Sequence, residues 1–398
     1  MSTPDLAALV DGVRRALDGG PPVAPLPRLT THVPPSGTAL VVRTSGSTGT
    51  PREVALSAAA LRASAAATAD RLNAPGRWVL TLPPTHVAGM QVIVRSLLAG
   101  TPLTAAGGGP FTPDGLADLL AAPLAGDDPV HVSLVPTQLH RVVEAADGGA
   151  PAALDALARC GAVLLGGAAT PPRLLVRARD AGVPVVRTYG MSETAGGCVY
   201  DGVPLPGVRV RLDPAGGDAG IVEIAGPVLA SGYLGDDDAT ATAFVDGPDG
   251  RWFRTSDLGA LDREVLRVIG RADDVVVTGG VNVAPAAVES VLGELLGVEV
   301  CVVGVPHDEW GQELVAVASG PVGARHADEP TRPAARRAPT GWGEGAELAR
   351  VRSAVAARLG PAAAPRRILR VENLPLRGPG KVDRAAVVDL VRARPAHD

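Results

Sequence analysis

Two features of the sequence bear on phosphate chemistry. An apolar run ending at Val42-Arg43 feeds directly into Thr44, Ser45, Gly46, Ser47, Thr48 and Gly49, and the segment closes with Thr50, Pro51 and the cation Arg52. Glycines let a backbone approach phosphate oxygens closely, while hydroxyls and N–H groups donate to them. Neither GxxxxGK[ST] nor GxGxxG is present here, so the loop is not that of a P-loop NTPase or a dinucleotide fold. A polar surface loop is the competing reading. The second feature is a count: of 37 lysines and arginines, only Lys381 is a lysine. An ammonium is a compact point charge that a planar guanidinium does not replace at sites of close approach. Lys381 is therefore a candidate for a role that arginine cannot fill.

The loop at 44–52 resembles the phosphate loop of the acyl-adenylate-forming (AMP-binding) superfamily. Five further segments match in the same order: Gly166-Gly167-Ala168, Thr188-Tyr189-Gly190-Met191-Ser192-Glu193-Thr194, Arg254-Thr255-Ser256-Asp257, Gly270-Arg271-Ala272-Asp273-Asp274 and Gly378-Pro379-Gly380-Lys381. The resemblance implies a two-step ligase. A carboxylate attacks the α-phosphate of MgATP to give an acyl-adenylate and pyrophosphate, and a thiol such as that of CoA then takes the acyl group. It implies that Lys381 is the catalytic lysine and that Glu193 holds Mg²⁺, a hard cation that favours carboxylate oxygen. Thr44 to Gly49, Arg52, Gly167, Gly190 and Ser192 would surround the nucleotide. Tyr189 would stack on adenine, and Asp257 and Arg271 would fix the ribose. Asp273 falls on the hinge position, and Gly279-Gly280 falls where the thiol arm is admitted. Arg52 departs from the lysine that the family often has there, though it still offers charge and donors.

The acid is indicated by a different stretch. Between Arg77 and Asp114 the single formal charge is Arg95, four residues after Gln91 and so on the same face of an apolar helix. An arginine reaching out to solvent along its apolar stem is one reading. The other is a cation in the acyl pocket that holds a second carboxylate. HVAGMQVIVRSLLAG, which begins at His86, and SLVPTQL, which begins at Ser133, resemble the o-succinylbenzoate–CoA ligases of menaquinone biosynthesis. The implied acid is an aromatic diacid, with Arg95, His86 and Gly166 at the acyl group. Another aryl or acyl acid, or a truncated non-catalytic nucleotide-binding relative, are the alternatives. The phosphate loop opens nearer the amino terminus than in most of the superfamily, a length that resembles short members of the succinylbenzoate group.

These residues need a scaffold. Short apolar runs at 39–43, 78–82, 130–135, 162–166 and 183–188 alternate with helical stretches such as 57–72 and 89–99, the pattern of an α/β sheet with crossover connections. An amphipathic helix over 4–18, capped by Thr3 and stopped by Gly19-Gly20, precedes them. From 200 to 270 the texture becomes strands and turns. The expected organisation is a large domain over 1–272 with a β-rich subdomain, then a small mobile α+β domain over 273–398. Residues 320–348, rich in Ala, Gly, Pro and Arg, are expected to form a flexible insertion.

Composition narrows the class further. At 398 residues, 46% hydrophobic and 20% charged, the chain has ample core material. A net charge of −5 without a dominant basic region argues against nucleic acid. Three distant cysteines form no CxxC pair, which argues against structural zinc and for a reduced, cytoplasmic setting. No long uninterrupted apolar stretch predicts a membrane span. No residue pattern speaks to oligomeric state.

Overall fold

The computed structural model describes residues 5–44, 51–106, 109–213, 219–320, 341–343, 345–377 and 381–394. Helix α1 (Leu6–Leu17) buries Leu9, Val13, Ala16 and Leu17. Its cap is Asp5, whose carboxylate accepts from the Ala7 N–H at 3.0 Å. Thr3, the expected cap, lies outside the described residues; the helix starts at Leu6, two residues later than expected, so Asp5 takes the capping position.

The chain continues through β1 (Thr38–Arg43), β2 (Glu53–Ser57), α2 (Ala58–Leu72), β3 (Arg77–Leu80), α3 (Val87–Ala99), β4 (Thr104–Ala105), α4 (Pro113–Ala121), β5 (Val130–Leu134), α5 (Pro136–Asp147), α6 (Ala152–Ala158), β6 (Ala162–Leu165) and α7 (Pro172–Asp180). Then come β7 (Val185–Met191), β8 (Gly196–Tyr200), β9 (Val203–Pro204), β10 (Arg209–Asp213), β11 (Gly220–Ala225), β12 (Gly232–Tyr233), α8 (Asp237–Ala243), β13 (Phe244–Gly247), β14 (Gly250–Asp262) and β15 (Val265–Arg271). The remainder is β16 (Val276–Thr278), β17 (Val281–Val283), α9 (Pro285–Leu296), β18 (Val300–His307), β19 (Gly311–Ser319), β20 (Gly341–Gly343), α10 (Ala346–Leu359), β21 (Arg367–Val371), β22 (Leu376–Arg377), β23 (Lys381–Val382) and α11 (Arg384–Arg392). By internal contacts the chain divides into two units. One comprises Met1–Thr170, Leu174–Thr255 and Gly259–Arg267; the other comprises Pro171–Arg173, Ser256–Leu258 and Val268–Asp398.

The first unit is built on a seven-stranded sheet of order β4-β3-β5-β6-β7-β8-β9. The strands from β4 to β7 are parallel and the last two antiparallel. Successive side chains of a strand point to opposite faces. Trp78, Leu80 and Leu164 accordingly pack with Leu61, Met90 and Ile93 of α2 and α3. Val79, Val163 and Leu165 pack with Leu120, Leu139 and Leu157 of α4, α5 and α6. Burial on both faces explains why these strands read as unbroken apolar runs. A three-stranded sheet, β1-β2-β12, carries the phosphate loop between its first two strands, and β10, β11, β14, β13 and β15 form a further sheet.

In the second unit β19 pairs with β18, β16 and β21, and β20 adds to β21. Val302, Leu314 and Ile368 face α9 and α10, and Val303, Val315 and Leu369 face α11. Of the segment 320–348, residues 321–340 and 344 lie outside the described ones. Gly341–Gly343 pair with β21 and α10 begins at Ala346, so the end of that segment is regular structure. Among the described residues no helix is long and apolar enough to cross a membrane.

Candidate active site

Ligands of open α/β sheets gather at the carboxyl ends of the parallel strands. Gly166 and Gly167 follow β6 there, and Tyr189 and Gly190 lie near the end of β7. The phosphate loop is anchored at its base. The Thr44 N–H donates to the Arg52 carbonyl at 2.9 Å, and the Arg52 N–H donates to Thr44 Oγ1 at 3.0 Å. Ser45, Gly46, Ser47, Thr48 and Gly49 lie outside the described residues. The Arg52 guanidinium meets Asp236 at 3.1 Å and stands 5.3 Å from the centroid of the Tyr233 ring.

After β7 the chain makes one 3-10 turn, Ser192–Thr194. Thr194 closes it, accepting from the Met191 N–H at 2.9 Å and donating to the Gly196 carbonyl at 2.8 Å. Glu193 is buried, and the Tyr233 hydroxyl donates to its Oε1 at 2.9 Å. Burial, followed by the Glu193 charge, pushes the Tyr233 phenol well above its ordinary pKa, so it remains a donor. Ala195, at φ 52°, adopts a left-handed conformation unusual for a residue with a side chain. Gln91 Nε2 at 2.6 Å and Ser64 Oγ at 3.2 Å both donate to its carbonyl and hold it there.

Two glycines allow the backbones to close up here. A Cβ on Gly166 would lie 2.4 Å from Thr188 Oγ1, and one on Gly190 would lie 2.1 Å from the Gly196 carbonyl oxygen. Further along β8, a Cβ on Gly197 would stand 3.1 Å from the Tyr200 ring and 3.2 Å from Thr188 Cβ.

His86 is the N-cap residue of α3, and Gly89 of the first turn fits against Pro83, whose carbonyl oxygen a Cβ would meet at 2.3 Å. Arg95 is on the same helix. Nine residues at 1.5 Å each separate their α-carbons by about 13 Å of axis, and a helical side chain leans back towards the N-terminus. Arg95 is 6% exposed. Its Nη2 donates to the Tyr200 hydroxyl at 3.3 Å and its guanidinium lies 4.9 Å from the Trp78 ring, while its buried Nε has no hydrogen-bond partner. No carboxylate pairs with it among the described residues. A cavity of about 300 Å³ opens beside it, walled by Trp78, Ala65, Ala69, Pro75 and Leu98. His86 does not line this cavity.

In the second unit Arg271 gathers two of the expected residues. It donates to both oxygens of Asp273, through Nε at 2.7 Å and Nη2 at 2.6 Å, and its Nη1 lies 3.9 Å from Asp257. The bidentate pair keeps Arg271 charged and, against the cost of burial, holds the Asp273 carboxyl below its ordinary pKa. Gly279 and Gly280 form the two-residue turn between β16 and β17, with φ 56° and 78°. Two successive positive φ values are what such a hairpin turn demands of glycine. Lys381 opens β23, where its backbone pairs with Arg377 across the hairpin, and Gly378–Gly380 lie outside the described residues.

Sequence reasoning missed Tyr233, Tyr200 and Trp78. A usable signal existed for the first two, since the chain holds only three tyrosines, 189, 200 and 233. Among the described residues no three His, Cys, Asp or Glu side chains gather as a metal cage. A buried carboxylate with a fixed donor fits Mg²⁺, which is bound through one or two carboxylates together with substrate phosphates.

A hydroxyl- and glycine-rich loop leaving a small sheet, a doubly covered parallel sheet and a separate lysine-bearing unit fit an adenylate-forming class of protein. The chain belongs to the AMP-binding enzyme family, which matches residues 7–234, and the family's C-terminal domain matches residues 287–381. It is 44% identical over 359 residues to the "Probable 2-succinylbenzoate–CoA ligase" of Mycobacterium tuberculosis, covering 88% of this chain and 84% of that one. It is 33% identical over 333 residues to the 2-succinylbenzoate–CoA ligase of Geobacillus kaustophilus, covering 77% and 65%. Among solved structures, the o-succinylbenzoate CoA synthetase of Bacillus subtilis with the acyl-adenylate OSB-AMP matches with TM-score 0.69 at 25% identity, over 91% of this chain and 70% of that chain. ATP-bound MatB from Rhodopseudomonas palustris matches with TM-score 0.71 at 25% identity, over 89% and 68%.

Proposed function

We propose that the chain is an AMP-forming acyl-CoA ligase that activates 2-succinylbenzoate with ATP and passes the acyl group to CoA, a step of menaquinone biosynthesis. The observation that carries the choice of acid is the 44% identity over 359 residues to a probable 2-succinylbenzoate–CoA ligase. A buried guanidinium without a carboxylate partner is costly, and such charges are paired in folded proteins. Arg95 meets this need only through the Tyr200 hydroxyl and the Trp78 ring, and the cavity beside it opens at the amino end of β3, away from His86 and Gly166, so its reading as partner of the second carboxylate rests on the resemblance.

In the first half-reaction a carboxylate oxygen of the acid attacks the α-phosphorus and the bond to the β-phosphate oxygen breaks, releasing pyrophosphate. Both reactants are anions, so preorganised positive charge lowers the barrier. Lys381 supplies it at the reacting centre, and Arg52 and the loop donors hold the phosphates. Glu193 would hold Mg²⁺, which neutralises phosphate charge when bound. Tyr189 stacks on adenine, with Gly167, Gly190 and Ser192 around the nucleotide, and Asp257 and Arg271 fix the ribose. In the second half-reaction the CoA thiolate attacks the acyl carbonyl, AMP leaves and a thioester forms. Gly279-Gly280 serve that step, and Asp273 is the hinge of a 273–398 domain that turns between the two. Such an enzyme works in the cytoplasm, where its substrates are.

The test is pyrophosphate release with MgATP and 2-succinylbenzoate, with and without CoA, beside benzoate and a fatty acid. Release that depends on the diacid, with thioester when CoA is added, is the expected result. Release with benzoate or the fatty acid alone would overturn the assignment of the acid, and no release with any of them would overturn the ligase.

A further inference from the structure

Tyr233 links two parts of the nucleotide site that lie far apart in the chain. It stands on β12, whose backbone runs antiparallel to β2, with Tyr233 opposite Val54. The strand leaving the phosphate loop therefore carries Tyr233 beside it. From there the phenol reaches Glu193, 40 residues away in sequence, and donates to Oε1 at 2.9 Å. A further attachment is Arg52, whose guanidinium lies 5.3 Å from the ring centroid and pairs with Asp236 at 3.1 Å. The ring is itself fixed by an edge contact with Phe244, at 5.8 Å between centroids. Its backbone N–H donates to Thr240 Oγ1 at 2.9 Å. The backbone around Glu193 is tied to the same segment, since the Ala230 N–H donates to the Glu193 carbonyl at 2.8 Å.

A glutamate has three side-chain torsions, and a carboxylate free to sample them spends little time in the one arrangement that presents an oxygen to a cation. A rigid donor on one oxygen selects an arrangement. We propose that Tyr233 is a positioning residue, whose hydroxyl orients Glu193 for the divalent cation of the ATP complex. This rests on the reading of Glu193 as the metal carboxylate. Loss of an outer partner to a metal ligand typically costs about 10- to 100-fold in metal affinity or activity.

Tyr233→Phe removes one oxygen and keeps the ring against Phe244 and Arg52. The experiment measures Mn²⁺ binding by calorimetry to the full chain saturated with α,β-methylene-ATP, for the wild type, Tyr233→Phe and Glu193→Gln. Binding of the same nucleotide in EDTA is measured in parallel. The expected result is an Mn²⁺ dissociation constant raised about tenfold in Tyr233→Phe, with nucleotide affinity in EDTA within twofold of wild type. Excess Mg²⁺ should restore the turnover of Tyr233→Phe, a rescue that a folding defect would not show. If Glu193→Gln weakens Mn²⁺ binding and Tyr233→Phe does not, the proposal fails and the assignment of Glu193 stands. If neither variant weakens it, the assignment of Glu193 fails and the proposal falls with it.

Discussion

Arg95 and Tyr200 stand 105 positions apart in the chain and meet through one hydrogen bond, from Arg95 Nη2 to the Tyr200 hydroxyl at 3.3 Å. Thr68 donates its one proton to the Ser64 carbonyl at 2.9 Å, so in the 3.1 Å bond between Thr68 Oγ1 and the Tyr200 hydroxyl it is Tyr200 that donates. Ser64 Oγ donates to the Ala195 carbonyl, beside the Glu193 turn. Two hydrogen-bonded links, from Arg95 to the Ser64 carbonyl and from Ser64 Oγ to Ala195, thus meet at one residue of α2 between the candidate acyl-site cation and the turn that holds the candidate metal carboxylate.

Truncating the cation should separate acids by charge. A charge-assisted hydrogen bond is worth about 1.5–3 kcal/mol, so Arg95→Ala should raise KM for 2-succinylbenzoate by roughly 10- to 100-fold. A monoacid such as benzoate should change by less than threefold. Steady-state pyrophosphate release over a range of each acid measures the ratio, and an equal rise for both would remove Arg95 from the substrate site.

Lys381→Ala should divide the two half-reactions. Loss of one preorganised charge costs roughly 10²–10³ in rate, and that loss should fall on adenylate formation. Thioester formation from chemically supplied acyl-adenylate and CoA should stay within a few-fold of wild type. Rapid-quench measurement of each half-reaction decides the matter, and equal damage to both would count against the assigned role.

Gly89→Ala tests the seat of α3. The added methyl would meet the Pro83 carbonyl carbon and oxygen at 2.7 and 2.3 Å, both backbone atoms that cannot swing aside. Overpacking of this kind typically costs about 1–3 kcal/mol, and relief requires the His86 end of the helix to move. Urea unfolding should show the loss, and KM for the acid should rise while KM for ATP holds.

His131 should make the fold acid-sensitive. It is buried against Trp78, with Gly76 and Gly161 closing on its ring, and burial lowers its pKa from 6.5. The unfolded imidazole takes up a proton as pH falls through about 6.5, whereas the folded one resists until lower pH. Stability from this group is complete above that range and declines below it, by up to about 1.4 kcal/mol per pH unit. Urea midpoints at pH 7.5 and 5.5 should differ less in His131→Gln than in wild type.

What the sequence made legible was mostly local. The strand at 130–134 is apolar throughout because helices cover both its faces, and a run of that kind needs no partner to be recognised. Gly279-Gly280 announced a turn because glycine adopts two successive positive φ values without steric cost. The parts that escaped depend on distant pairing. Nothing around Tyr233 signals that β12 will lie on β2 and deliver a phenol to Glu193, and Trp78 looks like any strand aromatic until Arg95 packs over it. The hinge role of Asp273 is an expectation from resemblance, whereas its bidentate pairing with Arg271 is a contact that only the fold reveals.

The three cysteines have a practical consequence. Cys160, Cys198 and Cys301 are all buried, and burial pushes each thiol up to about 12. A thiol in that state holds almost no thiolate near neutral pH, and thiolate is the reactive form. Maleimide and iodoacetamide reagents should therefore pass over the native chain. A cysteine introduced on an exposed surface of each unit could carry a fluorophore without first removing the natural ones, so the wild-type sequence is already the background in which to test the proposed turning of the second unit.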